Sequence, residues 1–390
     1  MVVSCLQHTL NPQPFTSPPE AGGGSELTVF RPRLPSADRL LPFLREIDAN
    51  RWYSNNGPLL TRFEQALARQ FAVPPDRVVV VANATAGLSL SLLAAGADAW
   101  DRTGLCLMAS WTHEATAVAA LRAGLTPWLH DVDEKTWQLD PTAVMDSLAS
   151  SPSLASRAAH VVVTAPFGAV VEAAPWAAFA ARTGLGVTID AASGFDRLRG
   201  GPVDAVVSLH ATKVLGIGEG GVVIARDALQ AARIRELAQL GLTADRIIPQ
   251  AGMNAKLSDY GAAIGLAALS EWPDRRAALV RRRDHYAARL AGLDGIRLWQ
   301  PEGVSSTLMV RLPAGMATAT ATTLAKRGIP TRRWWHHGCH RQPAFATQPR
   351  GPLPVTEALV ESVLGLPFYD DLDIPTIDRI VEALLSCSRR

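Results

Sequence analysis

From residue 78 to residue 240 one pattern recurs along this chain: a short apolar run, a turn, then a longer Ala/Leu-rich stretch with helical spacing. The apolar runs fall at 78–82, 105–108, 127–131, 160–163, 186–189, 205–208 and 221–225, and helical stretches near 84–96, 114–123, 141–149, 173–183 and 227–240 separate several of them. Most runs are apolar at successive positions, not alternate ones, so both faces of each strand must be covered. Intervening helices supply that cover and carry the chain back, so that neighbouring strands run parallel. The predicted fold is α/β, a mostly parallel seven-stranded sheet flanked by helices. Such sheets gather ligands at the carboxyl ends of their strands.

Beyond about residue 258 the texture changes. Two helices (258–270 and 273–291), strands near 296–300 and 306–312, a helix at 317–327, a loop rich in Trp, His and Pro, and a last helix over about 374–387 predict a smaller α+β C-terminal domain. The expected division is a flexible arm at 1–28, a large domain at 29–257 and the small one at 258–390. The arm carries Pro-Gln-Pro, Ser-Pro-Pro and Gly-Gly-Gly, compositions that do not build a core.

A net charge of +2, with no basic stripe interleaved with aromatics, argues against a nucleic-acid binder. Arg281-Arg282-Arg283 reads as a solvated helix face. No apolar run is long enough to span a bilayer, and the N-terminus lacks the order of a signal peptide. Cys5, Cys106, Cys339 and Cys387 lie far apart, without the spacing of a zinc site or a disulfide framework. The expectation is a cytoplasmic protein with neither metal nor membrane attachment.

Within that fold one residue type is scarce. Of 38 basic residues only four are lysine (Lys135, Lys213, Lys256 and Lys326) and 34 are arginine. Arginine cannot lose its proton, whereas an amine can attack a carbonyl and form a Schiff base. Lys213 stands in Ser208-Leu-His-Ala-Thr-Lys-Val-Leu-Gly-Ile-Gly-Glu-Gly-Gly221, a glycine-rich turn after an apolar run. Lys135 and Lys326 read as surface charges.

Other features fall at predicted strand ends. Asn83-Ala84-Thr85 opens a helix, where backbone N–H groups and the helix dipole make an anion cup; read alone, these are ordinary capping residues. Asp190 ends an apolar run, and a carboxylate there can keep a pyridinium nitrogen protonated. Ser208 and Lys213 bracket the turn after the run at 205–208. A phosphate cup, a ring-nitrogen acid and a downstream Schiff-base lysine are what pyridoxal 5'-phosphate requires.

The order of these motifs resembles the fold-type I, pyridoxal phosphate-dependent sugar aminotransferases of the DegT/DnrJ/EryC1/StrS group, from about residue 51 onward. The resemblance rests on Ser54-Asn-Asn56-Gly-Pro58, Asn83-Ala-Thr85, Ser110-Trp-Thr-His-Glu-Ala-Thr116, Asp190-Ala-Ala192, the Lys213 turn and Gly252-Met-Asn254-Ala-Lys256-Leu-Ser-Asp259. It implies that Lys213 bonds the cofactor and shuttles a proton, and that Asp190 pairs with the pyridine nitrogen. Ala84, Thr85 and Ser208 would hold the phosphate, helped by Asn254 of a neighbouring subunit in a homodimer. His113 stands where the family stacks an aromatic ring, and Ser193 where it commonly has Gln or His. Lys256, Asn56 and Trp334 are candidate substrate contacts. Trp111, Trp335, His336, His337 and His340 share the same aromatic-rich context, which domain-interface packing would explain as well.

The implied reaction moves the amino group of L-glutamate to a nucleotide-linked keto sugar. Glu219-Gly220-Gly221 and Ser54–Pro58 resemble members that aminate C-4, pointing to dTDP-4-keto-6-deoxyglucose. A C-3 keto sugar or a cyclitol is the alternative within enzymes, and a non-catalytic regulator with the same fold is the alternative outside them. Retention of both Lys213 and Asp190 weighs against the regulator.

Overall fold

The computed structural model describes residues 27–96, 104–299 and 302–388. Most of the arm expected at 1–28, with Cys5, lies outside the described residues. Two helices outside the predicted elements come first, α1 (Ala37–Asn50) and α2 (Pro58–Phe71). The alternating core follows: β1 (Val78–Val81), α3 (Ala84–Ala94), β2 (Leu105–Ala109), α4 (Glu114–Arg122), β3 (Thr126–His130), α5 (Pro141–Ser150) and the single turn α6 (Pro152–Ala155). It continues through β4 (Ala158–Thr164), α7 (Ala173–Thr183), β5 (Gly186–Asp190), β6 (Asp204–Ser208), β7 (Gly221–Ile224) and α8 (Ala228–Leu237).

All seven apolar runs are strands of one sheet, ordered β1-β7-β6-β5-β4-β2-β3. Strands β2 to β6 run parallel, and β7 is antiparallel to both neighbours, β1 and β6. Why the runs are continuously apolar is visible in how they sort. Val78, Val80, Leu105, Leu107, Val161, Val163 and Val207 pack into the core on one face. Their neighbours Val79, Val81, Cys106, Met108, Val162 and Val206 pack into the core on the other. Side chains alternate across a strand with period two, and here each set meets helices. Helix α3 covers β5, β6 and β7, which brings its N-terminus over the strand ends that matter below.

The C-terminal third differs from expectation at two places. The two helices expected at 258–270 and 273–291 are a single helix, α9 (Asp259–Leu290), with Pro273 inside it. Proline removes a helical hydrogen bond and crowds the preceding turn, but packing on both sides of it holds the axis together. Trp272 is buried edge-on against Phe195, and Arg276 pairs with the buried carboxylate of Asp196. Helix α9 packs on α1, α2 and α12 (Ile374–Ser388). The remaining elements are β8 (Arg297–Leu298), β9 (Leu308–Arg311), α10 (Met316–Ala325), α11 (Pro354–Ser362) and β10 (Val363–Leu366), with β8, β9 and β10 in a three-stranded antiparallel sheet. Both α11 and β10 occupy sequence expected as loop.

The arginine run on α9 is only partly a solvated face. Arg281 is exposed, but Arg282 donates to the Leu372 carbonyl and Arg283 to that of Gly303, so both tie loops to the helix. Cys106, Cys339 and Cys387 are buried free thiols. No helix among the described residues is long and apolar enough to cross a membrane.

Candidate active site

The carboxyl ends of β1, β4, β5 and β6 open into a cavity of about 510 Å³. Its lining includes Ala84, Thr85, His113, Asp190, Ser193, Ser208, Lys213 and Trp334, residues drawn from across the chain. Eight of the eleven sequence-predicted site residues therefore meet in one place.

The turn that carries Lys213 is held by its own backbone. Lys213 N donates to His210 O, Ala211 N to Gly218 O and Leu209 N to Gly220 O. Gly218 sits at φ +96°, in the left-handed region that favours glycine. At Gly221 a Cβ would lie 2.6 Å from the amide nitrogen of Ala84, so β7 can lie this close to the start of α3 only with glycine there. The Lys213 amine donates to Ser193 Oγ at 3.0 Å. Burial pushes its pKa below the usual lysine range, and the charge of Asp190 pulls the other way. Burial thus shifts the balance of this amine toward its neutral form relative to a surface lysine.

Asp190 ends β5 and is 5% exposed. Its Oδ2 accepts from Thr116 Oγ1 at 2.6 Å and its Oδ1 from the amide of Ala192 at 3.1 Å. At the start of α3, Asn83 is an N-cap as its type suggests: its side chain accepts from Ala86 N. The cap leaves the amides of Ala84 and Thr85 as first-turn donors with no intrahelical acceptor. Ser208 Oγ accepts from His210 N, so its own proton is free to be donated to a cavity oxygen. His113 caps α4, its Nδ1 accepting from Ala115 N, and its exposed ring lines the cavity.

Asn56, Asn254 and Lys256 are not brought to this cavity by their own chain. Asn56 is exposed at φ +59°, and Lys256 Nζ donates to Asn254 Oδ1 at 2.7 Å beside the outer edge of β1, where residue 256 bridges Val81. Lys135 and Lys326 are exposed, as expected.

The segment 331–341 forms another wall. Arg332, Trp334 and Trp335 line the cavity, with Phe30 and Phe167. The Arg332 guanidinium lies 4.2 Å over the Trp334 ring and 5.9 Å from that of Phe30. Trp335 stacks on Phe167 at 4.2 Å, and both residues have φ above +50°. Trp111 is fully buried, edge-on to Trp335 and Trp137, and is packing, not surface. His336 and His337 are exposed and lie outside the cavity lining. His340 is buried between Ser110 Oγ (2.7 Å) and Glu357 Oε1 (2.9 Å). Since the carboxylate can only accept, His340 donates through Nε2 and its Nδ1 receives the serine proton, which pins the end of this segment to β2.

Arg332, Phe30, Phe167 and the threonines behind Asp190 were missed from sequence. The spacing of Thr112 and Thr116, one helical turn apart, was the only local sign of the last group.

The donor set fits pyridoxal phosphate. Two free helix-terminal amides with the hydroxyls of Thr85 and Ser208 suit a phosphate, a buried carboxylate suits a pyridinium nitrogen, and a desolvated amine suits an aldehyde. Comparison with known proteins gives the same answer. The chain is 29% identical to GDP-perosamine synthase of Caulobacter vibrioides, covering 92% of this chain and 97% of that protein. It is 28% identical to dTDP-3-amino-3,4,6-trideoxy-alpha-D-glucose transaminase of Streptomyces venezuelae, over 89% and 91%. Among solved structures, DesI in the presence of its TDP-sugar product superposes with a TM-score of 0.84 at 33% identity, over 94% of each chain. Residues 37–385 match the model of one family, and the chain belongs to it: the DegT/DnrJ/EryC1/StrS aminotransferase family, whose members depend on pyridoxal phosphate.

Proposed function

We propose that this protein transfers the amino group of L-glutamate to C-4 of a dTDP-linked 4-keto-6-deoxyhexose, giving a 4-amino-4,6-dideoxy sugar nucleotide. The observation that carries the reading is the meeting of Lys213, Asp190 and the Ala84–Thr85 amides in one cavity with room beyond them for a second reactant. Similarity to GDP-perosamine synthase and to DesI, solved in the presence of its TDP-sugar product, supports a sugar-nucleotide substrate. Glu219, from the Glu219-Gly220-Gly221 turn that resembles C-4 members, lines the same cavity beside His210.

Bound pyridoxal phosphate supplies an aldehyde carbon for amines and an electron sink in its ring. The chain does the rest. The amides of Ala84 and Thr85 and the hydroxyls of Thr85 and Ser208 would hold the phosphate, and Asp190 would keep a proton on the ring nitrogen. Lys213 Nζ, whose neutral form burial favours, takes the proton from Cα of glutamate in one half-reaction. In the other it returns a proton at the sugar carbon that becomes the amine-bearing centre. Ser193 Oγ, 3.0 Å from that amine, orients it between the two tasks. The His113 ring, on the cavity lining at the start of α4, would be the residue to stack on the cofactor ring. Asn254 and Lys256, unused by their own chain's cavity, are assigned to that of a partner in a homodimer.

C-3 amination is the second reading, favoured by the 28% identity to a 3-amino sugar transaminase. A coupled assay offering dTDP-4-keto-6-deoxyglucose and its 3-keto isomer with glutamate separates them, with the product identified by NMR. Turnover of the 3-keto isomer alone, or of neither sugar, would refute the C-4 assignment.

A further inference from the structure

Beside Asp190 lies a row of three buried hydroxyls that the chemistry above does not use, two of which, Thr112 and Thr164, also reach the cavity lining. Thr116, in the first turn of α4, is fully buried and donates to Asp190 Oδ2 at 2.6 Å. A hydroxyl has one proton to give, so Thr112, whose Oγ1 is 2.9 Å from that of Thr116, is the donor in the contact between them. Thr164 donates in turn to Thr112 at 2.8 Å. All three O–H bonds therefore point the same way and end on the carboxylate. Thr112 and Thr164 are 1% and 4% exposed, and Thr164 is the register partner of Asp190 across β4 and β5.

Packing alone does not call for this arrangement. Valine has nearly the shape of threonine and would fill each position without a hydroxyl to desolvate. The row becomes useful at its end. With the amide of Ala192 on Oδ1 and Thr116 on Oδ2, each oxygen has one lone pair committed to the protein. The carboxylate plane is then fixed, with the remaining lone pairs available to the cavity.

We propose that Thr116, Thr112 and Thr164 are positioning residues: a one-way hydroxyl relay that orients Asp190 and so governs how firmly the cofactor's ring nitrogen keeps its proton. The proposal rests on the assignment of Asp190 to that nitrogen. It also predicts a gradient, because each hydroxyl acts through the next. Removing Thr116 deletes the contact itself; removing Thr112 leaves Thr116 without its donor; removing Thr164 acts two steps away.

The test uses full-length protein loaded with pyridoxal phosphate labelled with ¹⁵N in the ring, read by the ring-nitrogen chemical shift. Thr116→Val should displace the signal toward that of Asp190→Asn and weaken cofactor binding about tenfold, the effect of one lost hydrogen bond to a charged group. Thr116→Ser should restore both readings, and Thr112→Val and Thr164→Val should give successively smaller displacements. A Thr116→Val signal that coincides with wild type, or moves away from that of Asp190→Asn, overturns the relay even if the variant melts earlier. If Asp190→Asn itself leaves the wild-type signal in place, the ring-nitrogen assignment falls and the relay with it.

Discussion

Two regions of this cavity are built on different physics. The floor, formed by the ends of β5 and β6 and the start of α3, is held by short directional bonds: Lys213 to Ser193, Asp190 to Thr116 and Ala192, and a glycine at 221 that admits the start of α3. The 331–341 wall is held by stacking, with Arg332 over Trp334, Trp335 on Phe167, and both of the last two residues in left-handed backbone. Hydrogen bonds at strand ends fix atoms to within tenths of an ångström, as proton transfer demands. Stacks tolerate sliding and accept different partners. On the proposed reading, chemistry belongs to the floor and recognition to the wall.

The sharpest way to break that division is at the floor. Lys213→Arg keeps the positive charge and removes the ability to lose it. It should lower kcat about 10³-fold or more and abolish the visible band of the bound cofactor; near-normal turnover would refute the assignment. At the wall, Arg332→Met keeps the apolar stem over Trp334 and removes the guanidinium. It should raise KM for an anionic reactant about tenfold, the effect of one lost charge-assisted contact, with the cofactor spectrum unchanged. A collapse of the spectrum in this variant would show that wall and floor are not separable.

The smallest kinetic effect is expected below the floor, at His160 in β4. Burial holds its pKa at about 3 against an ordinary value of 6.5. Between those values the unfolded chain takes up a proton that the native protein refuses, so stability falls as pH drops from 6.5 toward 3. His160→Gln should remove about 1.4 kcal/mol of that loss per pH unit in denaturant titrations, with kinetics at pH 7 unchanged. An identical slope in both proteins would contradict the buried, neutral ring.

The same contrast explains what could be read from the sequence. Strands covered on both faces are apolar at most positions, so they showed as runs, whereas the edge strand β3 is buried only at alternate positions. The floor residues showed because each sits where a run ends, and because lysine is scarce enough to stand out. Pro273 misled, since local chemistry predicts a break that Trp272 and Arg276 hold closed through tertiary contacts. Phe30 and Arg332 meet only after folding, and nothing local marks either as part of a cavity. The hydroxyl relay was half visible: Thr112 and Thr116 are one turn apart, but Thr164 comes from another strand and Asp190 from the next.

The central claim is that the Lys213 amine carries the cofactor and the proton, and the scarcity of lysine makes it directly testable. Borohydride reduction of the loaded protein followed by peptide mapping should find pyridoxal phosphate fixed to Lys213 alone. Fixation at Lys135, Lys256 or Lys326, or at no lysine, would contradict it.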